Sequence, residues 1–192
     1  MNKITLRKFV LSAMFIAIGY VLPLFTGQIK EIGNMLLPMH IPVILCGLIC
    51  GGRWGLVVGL ILPVTRSAIF GMPPMYPTAI AMSFELAAYG AISGILYENS
   101  KWSCVRSLYR SLIPAMVAGR LVWGAVTAVL TGIGGGSFEI QAFVAGAVLN
   151  AIPGIIIQLT LIPGIMLALG KTNAVIYIKG SKSQKTHEIK EV

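Results

Sequence analysis

The sequence predicts an all-α membrane protein, a bundle of six transmembrane helices with both termini in the cytoplasm. Of the 192 residues, 56% are hydrophobic and only 11% are charged, whereas about 25% of the residues in a soluble domain are charged. The apolar residues fall into runs, most of which approach the roughly 20 residues that a membrane-spanning helix needs. The basic residues cluster in alternate connections between these runs.

Turn-forming residues divide the chain into apolar runs at 9–25, 35–51, 54–70, 77–97, 112–130 and 139–169. Only Gly51, Gly52 and Arg53 separate the second run from the third, which predicts an antiparallel pair with a tight turn. Pro153 and Pro163 predict a kink or an interruption in the last helix. The N-terminus has the charged start of a signal peptide, but no small-residue cleavage site follows, so it is interpreted as a retained first helix.

The orientation follows from the placement of Lys and Arg, which are in excess in cytoplasmic loops. With both termini inside, the cytoplasmic segments hold twelve Lys and Arg residues and the external segments hold only Lys30. We therefore expect a multi-pass protein of a prokaryotic cytoplasmic membrane, with one transmembrane domain over 1–170. Residues 171–192 are predicted to form a basic cytoplasmic tail, for which a solvated end is favoured over a lipid-binding switch.

Several classes of function are excluded at this stage. The net charge of +9 suggests nucleic-acid binding, but the basic residues lie in short clusters between apolar runs instead of forming one stripe. An odd count of cysteines, Cys46, Cys50 and Cys104, argues against a disulfide framework or a zinc site. The chain has no aspartate and no phosphate-binding or hydrolase motif. We predict no catalytic residues, no metal, no cofactor and no nucleotide hydrolysis by this chain.

Ionisable residues within membrane spans are costly and usually functional. The sequence has three central ones, Arg66, Glu85 and Arg120. Either arginine could pair with Glu85 and merely tie helices together. One glutamate cannot neutralise two arginines, so a positive charge remains for an anionic or strongly polar ligand, for which the planar guanidinium is well suited.

Other side chains were assigned to the same site by depth. Asn150 and Gln158 are predicted to donate neutral hydrogen bonds, and Tyr76 and Trp123 to supply apolar and stacking surface. His40, at the start of the second span, is predicted to close the pocket or to cap a helix. For each of these residues alone, packing is a more common role than ligand contact. Polar or aromatic residues at comparable depth are also Thr65, Ser67 and Tyr89.

Three stretches resemble the S components, the substrate-binding subunits of energy-coupling factor (ECF) vitamin transporters. Ala13 and Ala17 match the Ala-x-x-x-Ala motif of the first helix in that family. The stretches MHIPVILCG (39–47) and PVTRSAIFGMPPMYPT (63–78) are also similar. The resemblance covers nearly the whole chain. It implies a subunit that captures a vitamin outside and topples in the bilayer, with Ala13, Ala17 and Gly19 forming a smooth face that docks on a membrane coupling protein driven by two cytosolic ATPases.

The resemblance also implies a ligand near the external side, beside the connections 26–34, 70–77 and 131–137. Because two arginines favour an anion, pantothenate is the first candidate, with alpha-ribazole, niacin, lipoate and folate as alternatives. Two other classes stay open: a non-transporting helix-bundle membrane protein in which both arginines are structural, and a membrane enzyme in which Glu85 and His40 converge in one cavity.

Overall fold

The computed structural model describes residues 3–25, 38–100, 105–133 and 152–171, and all regular structure in these ranges is helical. A single π-helical turn, Met75–Ala79, precedes the fourth helix. The helices are α1 Lys3–Phe25, α2 His40–Cys50, α3 Gly52–Phe70, α4 Ile80–Asn99, α5 Val105–Ile133 and α6 Ile152–Lys171.

The predicted spans agree with this order of helices. Within the described ranges, five helices are long and apolar enough to cross a membrane, namely α1, α3, α4 with its preceding turn, α5 and α6. The first part of the sixth predicted span, 139–151, lies outside the described residues, as do most of the basic tail and the connections 26–34 and 134–137. The orientation and the division at residue 170 stay predictions.

The second helix is shorter than its predicted span. Within residues 38–51, the helix covers only His40–Cys50, about 16 Å at 1.5 Å per residue, compared with a hydrocarbon core of about 30 Å. All of its residues are buried, as expected for a helix that is apolar on every side. α2 is therefore a central core helix surrounded by longer ones.

The predicted tight turn between α2 and α3 is confirmed. Gly51 is the single residue between the two helices, and its N–H donates to the Gly47 carbonyl oxygen at 3.0 Å. Its φ angle is 106°, a left-handed conformation that glycine adopts without steric cost. The turn returns the chain so that α3 packs beside α2.

Glycines bring α2, α3 and α4 into close contact. A β-carbon on Gly55 of α3 would lie 2.7 Å from the Gly47 α-carbon and 2.6 Å from the Gly90 carbonyl oxygen. One turn along α4, a β-carbon on Gly94 would lie 2.5 Å from the α-carbon of Gly52. Such close backbone approach is typical of small residues between membrane helices. It fixes α4, which carries Glu85, against both partners.

The first helix lies at the edge of the bundle and packs on α2 and α3. Ala13 and Ala17 are exposed on its outer face, as a docking face requires. Gly19 is buried instead, and a β-carbon on it would lie 2.5 Å from Leu62 Cδ2. The prediction that Gly19 belongs to the outer face is therefore wrong, because this glycine makes room for a side chain of α3.

Candidate functional site

A buried carboxylate on α4 stands at the centre of the bundle. Glu85 is 1% exposed, and its Oε1 lies 2.9 Å from Arg120 Nη1 of α5 and 3.4 Å from His40 Nε2 of α2. His40 is completely buried. The structure thus brings together three of the predicted site residues, and they connect three different helices at one point.

The ring of Tyr89 holds this cluster from one turn further along α4. It meets the His40 ring edge to face, with the ring centroids 5.1 Å apart. On its other side the ring packs on Gly119, where a β-carbon would lie 2.6 Å from it. Glu85 and Arg120 both interact electrostatically with the Tyr89 hydroxyl. Tyr89 was considered only as stacking surface, yet it positions the imidazole.

Several buried polar atoms of this cluster and of the next turns of α5 have no hydrogen-bond partner among the described residues. They are His40 Nδ1 and Nε2, Arg120 Nε and Nη2, Thr127 Oγ1 and Glu85 Oε1 itself. The contact of Arg120 Nη1 with Glu85 is therefore an ion pair by distance and not an aligned hydrogen bond. Buried polar groups in folded proteins are nearly always bonded, and each one left alone costs about 1–3 kcal/mol. Such a set of groups is suited to a polar ligand.

Thr127 was not among the predicted site residues. It follows Arg120 by seven residues on α5, two helical turns, so both side chains lie on the same face of the helix. Threonine is common in membrane helices and often bonds its own backbone, so its residue type alone does not select Thr127. The seven-residue spacing from Arg120, which places both side chains on one face of α5, is the pattern that could have selected it.

Tyr76 and Trp123, the two predicted aromatic residues, both lie between the cluster and the C-terminal end of α5. Tyr76, half-exposed in the π-helical turn, donates its hydroxyl proton to the Leu130 carbonyl oxygen of α5. Glu85 follows Tyr76 by nine residues and Arg120 precedes Leu130 by ten, so the ion pair joins α4 and α5 nearer to the middle of α5. Trp123, three residues after Arg120, is partly buried. The segment between the Tyr76 bond and the ion pair contains Thr127.

One of the two predicted amides, Gln158, makes no described contact with this cluster. Gln158 is completely buried on α6, and neither its Oε1 nor its Nε2 is bonded among the described residues. The next residue, Leu159, accepts a hydrogen bond from the Tyr109 hydroxyl at 3.0 Å. Tyr109 precedes Arg120 by eleven residues, about 16 Å along α5, so this contact with α6 lies about three turns from the ion pair, and the place of Gln158 in the site stays a prediction. Asn150 lies outside the described residues.

The second predicted arginine has a different environment. Arg66 is 3% exposed, and its Nη1 donates to the Tyr20 carbonyl oxygen of α1 at 2.9 Å. Its guanidinium carbon lies 5.1 Å from the centroid of the Phe70 ring. Among the described residues, no acidic side chain lies within ion-pair distance of it. Of the two pairings considered from the sequence, the structure shows only Arg120 with Glu85.

Comparison with known families identifies the chain. The family described as "ECF transporter, substrate-specific component" matches residues 7–169, which include every described residue of the cluster. The chain belongs to this family. No curated protein and no solved structure matches the sequence. The substrate-specific component is thus a membrane protein that functions in transport. It binds a small-molecule substrate and works with the ECF module. Its family consists of transporter subunits and not of enzymes.

The cluster gives this substrate-specific component two kinds of chemistry. Nε and Nη2 of Arg120, which have no partner among the described residues, form the side edge of the guanidinium, two parallel donors that fit the two oxygens of a carboxylate. His40 and Thr127 can each donate or accept a hydrogen bond to a neutral group. Among the described residues, Glu85 is the acidic side chain within ion-pair distance of His40 and Arg120. The site is therefore polar but carries few charges.

Proposed function

We propose that this substrate-specific component captures a small carboxylate of the vitamin class from outside the cell, with pantothenate as the first candidate. It then carries the ligand inward by toppling in a prokaryotic cytoplasmic membrane, with both termini inside, when a coupling protein is moved by two cytosolic ATPases. The observation that supports the ligand class is the buried, unpaired edge of Arg120.

Charge balance supports an anion. At membrane depth the described helices carry Arg66 and Arg120 against Glu85 alone. Two arginines and one glutamate leave one excess positive charge in the bundle, which one bound carboxylate would neutralise. Because Nη1 of Arg120 already faces Glu85 at 2.9 Å, the carboxylate would bind at the opposite edge through Nε and Nη2.

Pantothenate supplies matching neutral groups. Besides its carboxylate it has two hydroxyl groups and one amide, and these can bond His40 and Thr127, whose polar atoms lack partners among the described residues. Niacin and lipoate each have a carboxylate but fewer neutral donors. Folate needs more stacking surface than Tyr89 and Trp123 provide, and alpha-ribazole has no carboxylate for Arg120.

The route to the site is proposed to begin at the connection 70–77. Its Tyr76 bonds the last turns of α5, on the predicted external side of the Glu85–Arg120 pair. Gly71, with a φ angle of 70°, ends α3 in a left-handed conformation and lets the connection turn back toward α4. A ligand that enters here meets Thr127 before Arg120.

Native mass spectrometry of the purified chain tests the proposal, followed by titration with pantothenate, niacin, lipoate, folate and alpha-ribazole. We expect a co-purified carboxylate and tightest binding of pantothenate. Tightest binding of alpha-ribazole would refute the carboxylate at Arg120. If no small molecule co-purifies and none of the five binds, the alternative of a helix-bundle protein without transport activity is supported instead.

The docking of α1 on the coupling protein is tested separately. Ala13 and Ala17 are exposed on one face of α1, so Ala13→Trp with Ala17→Trp would obstruct a close helix contact without touching the ligand site. We expect uptake into cells to be lost while ligand affinity is kept. Ala125→Trp on the exposed side of α5 is the matched control and should leave uptake intact. Unchanged uptake in the double variant would refute docking at these alanines.

A further inference from the structure

α1 needs a specific attachment to the bundle because it lies at the edge. In the part of the chain that the structure describes, its principal neighbours are α2 and α3, and Phe9, Val10 and Val21 are about half-exposed. Lipid tails are as apolar as these side chains, so hydrophobicity does not hold a membrane helix against its neighbours. Close packing and polar contacts must do so.

The polar contacts between α1 and α3 converge on one residue of α1. The Tyr20 hydroxyl donates to Thr65 Oγ1 at 2.6 Å, and Thr65 in turn donates to the Ile61 carbonyl oxygen of its own helix at 2.7 Å. Arg66 Nη1 donates to the Tyr20 carbonyl oxygen at 2.9 Å. The Phe70 ring lies against both Arg66 and Tyr20, with its centroid 6.1 Å from that of the tyrosine ring.

The position of this contact follows from a proline. Pro23 lies inside α1 and has no N–H, so the helix cannot complete its usual bond to the Gly19 carbonyl, and the proline ring distorts that turn. Arg66 supplies a donor to the adjacent carbonyl, that of Tyr20. Gly19 accommodates the Leu62 side chain at the same level. Packing and hydrogen bonding therefore coincide at one turn of α1.

We propose that Tyr20, Thr65 and Arg66, called here the α1 clamp, make the bundle follow α1 when the coupling partner moves that helix. The proposal rests on the proposed docking of α1. Tyr20 comes one turn after Ala17, so a force applied at the docking face reaches the clamp over a short length of helix. From α3 it passes to α4 at Gly59, where a β-carbon would lie 2.5 Å from the Ala87 nitrogen, two residues from Glu85.

The clamp residues thus have a positioning role in transport and do not bind the ligand. Tyr20→Phe and Thr65→Val each remove one end of the same hydrogen bond at nearly constant volume, so both variants should fold. Thr160→Val is the matched control, because Thr160 is exposed on α6 and bonds only carbonyls of its own helix.

The first experiment measures three quantities for each variant. They are pantothenate uptake by cells that contain the full transporter, the affinity for pantothenate, and the amount of ECF module that co-purifies. In Tyr20→Phe and Thr65→Val we expect uptake to fall about tenfold, the effect of losing about 1.4 kcal/mol. Affinity and co-purification should stay within about twofold, and the Thr160→Val control should match the unaltered chain in all three.

The double variant Tyr20→Phe with Thr65→Val should lose no more uptake than either single variant, because both substitutions remove the same hydrogen bond. Unchanged uptake, or additive losses in the double variant, would overturn the clamp.

Arg66→Gln separates the clamp from ligand binding. If Arg66 belongs to the clamp, this variant loses uptake and keeps its affinity for pantothenate. A large loss of affinity would instead place Arg66 at the ligand and overturn its role in the clamp.

A second measurement needs neither ligand nor partner. Hydrogen exchange of the isolated chain should be faster in the amides of α1 for Tyr20→Phe and Thr65→Val, and unchanged for Thr160→Val. Equal exchange in all variants refutes the clamp. If the unaltered chain neither binds nor imports pantothenate, the proposed ligand is wrong, while the exchange result still decides whether the clamp holds α1.

Discussion

Arg120 and Arg66 are both arginines in the interior of the bundle, and they meet different partners. Arg120 of α5 faces the Glu85 carboxylate at 2.9 Å, with two further nitrogens unbonded among the described residues. Arg66 of α3 donates to a backbone carbonyl at the same distance and lies over an aromatic ring. The first is an ion pair with a free edge, and the second is a link between helices that keeps its charge.

The difference matters because loss of a side chain has a different cost in each arrangement. If Glu85 is removed, Arg120 is left as a buried cation without a counter-charge, which is among the most expensive changes in a protein interior. If Arg66 is removed, only the Tyr20 carbonyl loses a partner, and a carbonyl in a helix keeps most of its hydrogen bonding. Comparison of the two regions therefore separates a charge-balanced site from a structural contact.

The largest effect is expected at Glu85. Glu85→Gln keeps the shape but removes the counter-charge of Arg120, so we expect the free energy of unfolding to fall by about 3–5 kcal/mol, measured by thermal unfolding in detergent. Arg66→Gln is the matched comparison and should cost about 1–3 kcal/mol. Combining Glu85→Gln with Arg120→Gln should recover part of the loss, because no charge is then stranded. Equal losses in the two single variants would contradict the distinction.

The next effect is on ligand affinity. Truncating one side of a buried charge pair costs about 2–5 kcal/mol of binding, so Arg120→Ala should weaken binding of the carboxylate by roughly thirtyfold or more at 1.4 kcal/mol per tenfold. Titration of a folded variant measures this loss. Arg120→Lys should recover little, because a lysine cannot offer two parallel donors. An affinity unchanged in Arg120→Ala would make this arginine purely structural.

The smallest effect is expected at Thr127. Thr127→Val keeps the volume and removes one hydroxyl that lacks a partner among the described residues. If the hydroxyl bonds the ligand, affinity should fall by about tenfold or less, the usual value of about 1 kcal/mol for one neutral hydrogen bond. Thr131→Val is the control on the same helix, because Thr131 bonds the Thr127 carbonyl of its own helix at 2.7 Å. If Thr127→Val binds the ligand more tightly than the unaltered chain, the Thr127 hydroxyl does not bond the ligand.

Much of the fold could be predicted from the sequence. The positions of the apolar runs follow from the cost of placing polar groups in lipid, and the structure has a helix in the described part of each run. The tight turn at Gly51 follows from the shortness of its connection. The length of α2 could not be predicted in the same way, because a buried core helix and a membrane-spanning one are both apolar on every side.

The candidate site could be predicted only in part. The cost of a buried charge was enough to select Glu85 and Arg120 from the sequence, and both lie in the central cluster. Depth alone could not separate Gln158 from them, because depth does not state which helices are neighbours. Thr127 carried no signal, since its hydroxyl becomes notable only when Arg120, on the same face of α5, is known to lie in the central cluster.

By itself the sequence determined that the chain is a helical membrane protein with a few charges inside, because hydropathy and charge act locally along the chain. Only the tertiary structure decided how these charges are shared. Glu85 has one carboxylate, and both α3 and α5 pack beside α4, so the face that each helix presents decides whether Arg66 or Arg120 reaches it. The packing of α2, α3 and α4 is set where Gly47 and Gly55, on opposite sides of a turn, meet Gly90 of α4. Residues far apart in the chain create this close contact, and no local pattern specifies it.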